Sequence, residues 1–156
     1  MLTLQTLGSL NLLDADGNEL SSVLSQPKRF ALLLYMAVAR QGEMHRRDTL
    51  LALFWPERDE AHARNALSQG LSYLRRHLPD GVIESRGSDE VGVTDGSIHL
   101  DVTEFRDALA QARWSGALNL YRGDFLTGFH LDGSPEFEEW MAVERERLRE
   151  EAAGAA

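Results

Sequence analysis

Between Ala61 and Pro79 the chain contains no Asp or Glu, although it has 25 of them in 156 residues. The same stretch carries Arg64, Arg75 and Arg76, with Asn65, Gln69, Ser72 and Tyr73 among them. Asn and Gln can form a bidentate hydrogen-bonded pair with adenine, and Arg can do so with guanine or grip a phosphate. A tyrosine can stack on a sugar or thymine methyl, or donate to phosphate. Residue types and spacing therefore suit a helix that reads base edges in a major groove. Asn65, Gln69, Tyr73 and Arg76 are the expected base contacts, and Arg64 and Arg75 the flanking phosphate contacts.

A helix turning about 100° per residue explains the grouping. Leu67, Leu71, Leu74 and Leu78 fall in one stripe that must face a core. His62, Asn65, Gln69, Ser72, Tyr73 and Arg76 fall opposite it. Ala66 and Gly70 would keep one side slim enough to sink into a groove. Any surface helix is polar on one side, but such helices normally mix charge signs. The missing acids are what that ordinary explanation leaves over.

The elements that position this helix are readable from periodicity and punctuation. Residues 2–7 and 10–13 suggest a small N-terminal antiparallel sheet, closed by Asp14-Ala-Asp-Gly-Asn18. A first helix starts near Ser25-Gln26-Pro27 and ends at Arg40-Gln41-Gly42. A second spans 46–54, stopped by Trp55-Pro56. The third spans 59–78. Residues 82–86 and 90–93 form a hairpin, and 97–100 suit a further strand. At Asp101 the texture becomes helical, with Asp101 and Glu104 spaced as a capping box. Helices follow at 102–113, 115–122 and 135–151. Two parts are expected, 1–100 and 101–156.

Arg46 and Arg47 open the second helix, where the dipole disfavours cations unless an anion sits beside them. Arg47 is thus a further phosphate candidate. Lys28 and Arg29 pose the same question, at a greater expected distance from the reading helix.

The net charge of −9 stands against nucleic-acid binding. Its distribution softens the objection: residues 1–100 hold ten Lys/Arg and thirteen Asp/Glu, residues 101–156 six and twelve. Local potential governs phosphate contact. Cysteine is absent, which excludes disulfides and thiolate chemistry. The five histidines lack metal-site spacing, so no metal or cofactor is expected. The acids near Glu136 suit a helix N-terminus better than acid–base chemistry. No nucleophile elbow, P-loop or GxGxxG occurs, so an enzyme is not expected. No apolar run spans a membrane and no secretion signal is present, which leads to a cytoplasmic assignment. The ending Glu-Ala-Ala-Gly-Ala-Ala fits a boundary within a longer protein.

The order of sheet, helices and hairpin resembles the OmpR/PhoB-type winged helix. Gln26-Pro-Lys-Arg, Leu50-Leu-Ala-Leu-Phe-Trp-Pro-Glu, Ala63-Arg-Asn-Ala-Leu-Ser-Gln and Leu74-Arg-Arg-His-Leu resemble its antibiotic-regulatory-protein (SARP) branch. Asp101-Val-x-x-Phe, Leu120-Tyr-Arg-Gly-Asp-Phe-Leu-x-Gly-Phe129, Phe137-Glu-Glu-Trp and Glu144-Arg-x-Arg-Leu148 resemble the opening of a bacterial transcriptional activator domain. The resemblance covers nearly the whole chain. It implies a mainly α fold with small sheets: a winged helix-turn-helix, then tetratricopeptide-like helices. It implies a regulator of transcription, in all expectation an activator, that binds double-stranded DNA. The third helix would lie in the major groove and the wing near the minor groove, with Arg86 on phosphate. The Trp55 indole would donate to the DNA backbone. The loop Glu57, Arg58 and Asp59 would face RNA polymerase. A second copy would bind on direct-repeat DNA. The wing tip Gly87-Ser-Asp-Glu90 departs from the basic or apolar tips of related proteins. The competing expectation is a protein-interaction module whose winged helix no longer binds DNA.

Overall fold

The computed structural model describes residues 1–40 and 42–156; Gln41, read above as part of the first helix's end, lies outside them. The chain opens with strands β1 (Leu2–Gln5) and β2 (Asn11–Leu13). Helices α1 (Ser21–Leu24) and α2 (Pro27–Val38) follow, then strand β3 (His45–Arg46) and helices α3 (Arg47–Phe54) and α4 (Glu60–His77). Strands β4 (Ile83–Arg86), β5 (Glu90–Val93) and β6 (Ile98–Leu100) lead into helices α5 (Asp101–Ala110), α6 (Trp114–Leu120) and α7 (Pro135–Ala155). Helices α2, α3 and α4 pack on one another. The β4–β5 hairpin beside them completes a winged helix.

Two three-stranded sheets frame those helices. The first has order β2-β1-β6. Strand β6 runs parallel to β1, with Leu2 opposite Ile98 and Leu4 opposite Leu100. The N-terminal sheet is therefore not purely antiparallel. A parallel neighbour needs a long crossover, and here the whole winged-helix unit is that crossover. The second sheet has order β3-β5-β4.

Strand β3 corrects the expected start of the second helix. Arg46 pairs in register with Glu90, and the Arg47 amide donates to the Asp89 carbonyl at 2.8 Å. The pairing pulls Arg46 into extended geometry, so the helix begins one residue later and is joined to the wing.

The capping box expected at Asp101 does not form. Leu100 is the N-cap residue and makes no side-chain cap bond. The Asp101 carboxylate accepts from the adjacent Val102 amide at 3.0 Å, from the amides of Thr6 and Leu7 at 2.8 and 2.9 Å, and from the Thr6 hydroxyl at 2.8 Å. Those donors are left over where β1 ends, and a carboxylate answers several at once. Glu104 pairs with His99.

The same junction joins the two parts of the sequence. The Leu126 amide donates to the Thr6 carbonyl and the Gly8 amide to Asp124. Gly8 has φ 82°, and a Cβ there would meet the Arg122 carbonyl carbon at 2.8 Å. Only glycine allows that approach. Phe54 packs on Phe137 with ring centroids 5.3 Å apart, Phe30 on Phe129 at 5.9 Å and Tyr35 on Trp140 at 5.0 Å. The hydrophobic core runs without a break from residues before Asp101 to residues after it.

Candidate nucleic-acid interface

Helix α4 is fastened at its N-terminus by Asp59. Its carboxylate accepts from the His62 amide at 2.8 Å and meets the His62 imidazole at 2.7 Å. These contacts, the backbone one first, hold the Asp59 carboxyl below its ordinary range. Asp59 thus has a structural task in the loop Glu57–Arg58–Asp59, whose three residues are all exposed. The C-terminal turn carries Arg75, Arg76 and His77, which complement the helix dipole.

Leu67, Leu71, Leu74 and Leu78 are buried, together with Ala63. Asn65, Ser68, Gln69, Ser72 and Arg76 are exposed on the other side. Burial therefore puts α4 in the rotation that the leucine spacing predicts. The slim side does not face outward. Gly70 is buried, and a Cβ on it would lie 3.6 Å from Leu32 Cδ2 and 3.9 Å from Arg29 Cγ. Ala66 is partly buried against the core. Gly70 faces side chains of α2, not a groove.

The exposed face has two flanks. On one, the α3 N-terminus, α4 and the wing tip enclose a cleft of about 270 Å³. Arg46, Arg47, Arg64 and Ser68 line it, with Asp48 and Asp89. Arg47 is half-buried and its Nε has no hydrogen-bond partner among the described residues. Arg64 pairs with Glu60, and Arg46 with Asp48 at 3.8 Å. Arg75 donates to the Ser85 hydroxyl at 2.6 Å, bracing α4 on strand β4. Arg86 is exposed at the end of that strand.

On the other flank, α1 and the first turn of α2 lie against α4. Tyr73 is half-buried, not free on the outer face. Its hydroxyl donates to the Ser22 carbonyl at 2.6 Å. The Arg29 guanidinium lies 4.5 Å from its ring centroid and that of Arg76 5.8 Å, while His77 stacks on it at 4.1 Å. Arg29 is therefore beside α4, not remote from it. Gly70 faces the Arg29 side chain, but a Cβ there would make only ordinary van der Waals contact, so only the packing reveals the neighbour. Lys28, by contrast, covers Trp55 at 5.5 Å, and burial lowers its pKa. Trp55 is only 8% exposed and packs on Phe54, so it offers little surface.

The structure thus brings Asn65, Gln69, Ser72 and Arg76 onto one face. Cations edge it on both sides, Arg29 on one and Arg47, Arg64 and Arg75 on the other. Among the described residues no group of His, Asp and Glu is arranged to hold a metal, and no helix is long and apolar enough to cross a membrane.

No family model matches the chain, and no curated protein matches it. Among solved structures it is similar to Mycobacterium tuberculosis EmbR, determined in complex with a low-affinity phosphopeptide. The two share 24% sequence identity with a TM-score of 0.67. The match covers 99% of this chain and 43% of EmbR, so this chain spans less than half the length of that protein. At that identity the likeness establishes the fold: this mainly helical chain with small sheets has the architecture of the corresponding part of EmbR.

Proposed function

We propose that this protein is a sequence-specific, double-stranded-DNA-binding regulator of transcription of the SARP type. The observation that carries the reading is the outer face of α4: acid-free from Ala61 to Pro79, polar, and edged by cations on both flanks. Asn65 and Gln69 read base edges in the major groove. Arg47, Arg64, Arg75 and Arg86 hold phosphates on the α3 and wing side. Helices α5 to α7 open a tetratricopeptide-like array that orients a second copy on direct-repeat DNA or a partner such as RNA polymerase, and the protein works in the cytoplasm as an activator.

A second reading has its own observations. The chain is acidic overall, and Trp114 and Leu118 on α6 are 50% and 36% exposed. A protein-interaction module would use such a surface, and EmbR was solved with a phosphopeptide. A mobility shift with duplexes selected from a random pool, run at two salt concentrations, separates the readings. DNA binding predicts a steep loss of affinity with salt, since each neutralised phosphate adds about 0.9 to the log–log slope. Gln69→Ala and Asn65→Ala should each cost about 1–3 kcal/mol on the selected duplex and blur one position of the site. If both variants bind it as wild type does, this face is not the reader.

A further inference from the structure

The arginines of this protein differ in what answers their charge. Arg40, Arg46, Arg64, Arg106 and Arg149 each meet a carboxylate. Their positive charge is largely answered within the chain. Arg29 and Arg76 have no carboxylate partner among the described residues; the aromatic ring of Tyr73 lies under both. A ring face orients a guanidinium through its quadrupole without neutralising it. The N–H donors at the guanidinium edge remain free for an anion.

Tyr73 is itself fixed, because its hydroxyl is bonded to the Ser22 carbonyl and its ring stacks on His77. The ring beneath the two guanidinium groups is therefore held both by its hydroxyl and by a neighbouring ring. Beside it lies a recess of about 340 Å³ lined by Arg29, Ser68, Gln69, Ser72 and Arg76. No acid lines it, and two hydroxyls and an amide add hydrogen-bonding capacity.

From this geometry we infer that the recess between the first turn of α2 and the middle of α4 is a phosphodiester site, in which Arg29 and Arg76, held on Tyr73, clamp one backbone phosphate of the duplex beside the base that Gln69 reads. The inference rests on the DNA-binding reading and adds a contact from α2 to it. It also makes Arg76 a phosphate ligand rather than a reader of guanine. A phosphate gripped next to a base-reading side chain sets the depth and rotation of α4 in the groove, which is how backbone contacts position the readers.

The test uses the full chain, the duplex it selects and an unrelated duplex of equal length, titrated over a series of salt concentrations. Arg29→Ala should weaken both duplexes alike, by about tenfold, and lower the salt slope by about one. Arg29→Lys should recover most of the slope, because it keeps the charge. Arg64→Ala should lower the slope less, since Glu60 already answers Arg64. Arg29 also packs over Gly70, so Ser72→Glu serves as a second variant at an exposed position. It puts a carboxylate into the recess and should weaken both duplexes more than tenfold with an unchanged melting curve. If wild type binds duplex but Arg29→Ala and Ser72→Glu retain its affinity and slope, the recess is no phosphate site, while the DNA reading stands. A loss confined to the selected duplex, with an unchanged slope, makes Arg29 a base contact and overturns the inference. If wild type binds no duplex, the DNA reading and the inference fall together.

Discussion

Helices α4 and α7, of 18 and 21 residues, place arginine in different company. On α7, Arg149 joins Asp124 at 2.8 Å and Glu146 at 3.1 Å. Arg145 donates to the carbonyls of Phe125 and Leu126, satisfying backbone where that loop turns. Glu144 is 7% exposed and receives Arg106 from α5 at 2.7 Å. Apart from the Glu146 pair, which lies within α7, these charges hold α7 to its neighbours. On α4 only Arg64 meets an acid; Arg75 meets a hydroxyl and Arg76 a ring. Net charge cannot register this difference. A chain at −9 can still present positive potential where its cations are held by neutral partners.

The strongest test of the comparison is to remove α7 together with α5 and α6. A chain ending at Leu100 loses Phe129, Phe137 and Trp140, which cover Phe30, Phe54 and Tyr35. It also loses the Asp101 carboxylate that satisfies Thr6 and Leu7. The exposed apolar area costs about 25 cal/mol per Å². The fragment should aggregate or melt without a cooperative transition, read by circular dichroism and sedimentation. A soluble fragment with a sharp melt would show that α4 stands independently of α7 and that residue 100 is a true folding boundary.

A smaller change acts where α5 meets α7. Arg106→Ala leaves the Glu144 carboxylate buried with its partner gone. Loss of one member of a buried pair costs about 3–5 kcal/mol. Arg106 is itself 36% exposed, so the low end, about 3 kcal/mol, is expected. The melting temperature should fall by about 10 °C, while the salt slope of duplex binding stays as in wild type. A reduced slope would mean that the arginines paired to α7 also serve DNA.

The smallest expected effect concerns acid. The Arg149 hydrogen bond holds the Asp124 carboxyl below its usual value of 3.8. An aspartate with a depressed folded pKa adds stability that is complete above the unfolded value. That stability is lost as pH falls through the folded one. Asp124→Asn should therefore lower stability near neutral pH and narrow its gap to wild type below about pH 4. Melting temperatures across pH 2–6 measure this; parallel curves for the two proteins would show that the pair contributes nothing.

Much of α4 was legible beforehand, because burial sorts a helix by hydrophobic period alone. Leu67, Leu71, Leu74 and Leu78 had a single direction in which to turn, and the polar face followed. The wing was legible from its Gly87 turn between β-prone runs. What misled were residues with two partners to choose from. Asp101 satisfied the pattern of a cap, yet its carboxylate bonds to donors 95 and 94 residues away in sequence. Tyr73 pointed outward on a helical wheel, but α1, only four residues long, supplies the carbonyl that draws its hydroxyl aside. Gly70 was read as a gap for DNA, but it faces the side chains of Leu32 and Arg29 on α2.

By itself, then, the sequence determined which face of α4 is apolar, where the longer helices lie, and that one stretch is free of acids, because these depend on local period and residue type. Only the tertiary structure decided which cations keep their charge available. That depends on the partner each guanidinium meets across the fold: Glu144 for Arg106, Asp124 for Arg149, and for Arg29 the uncharged ring of Tyr73, brought to it by the packing of α2 on α4.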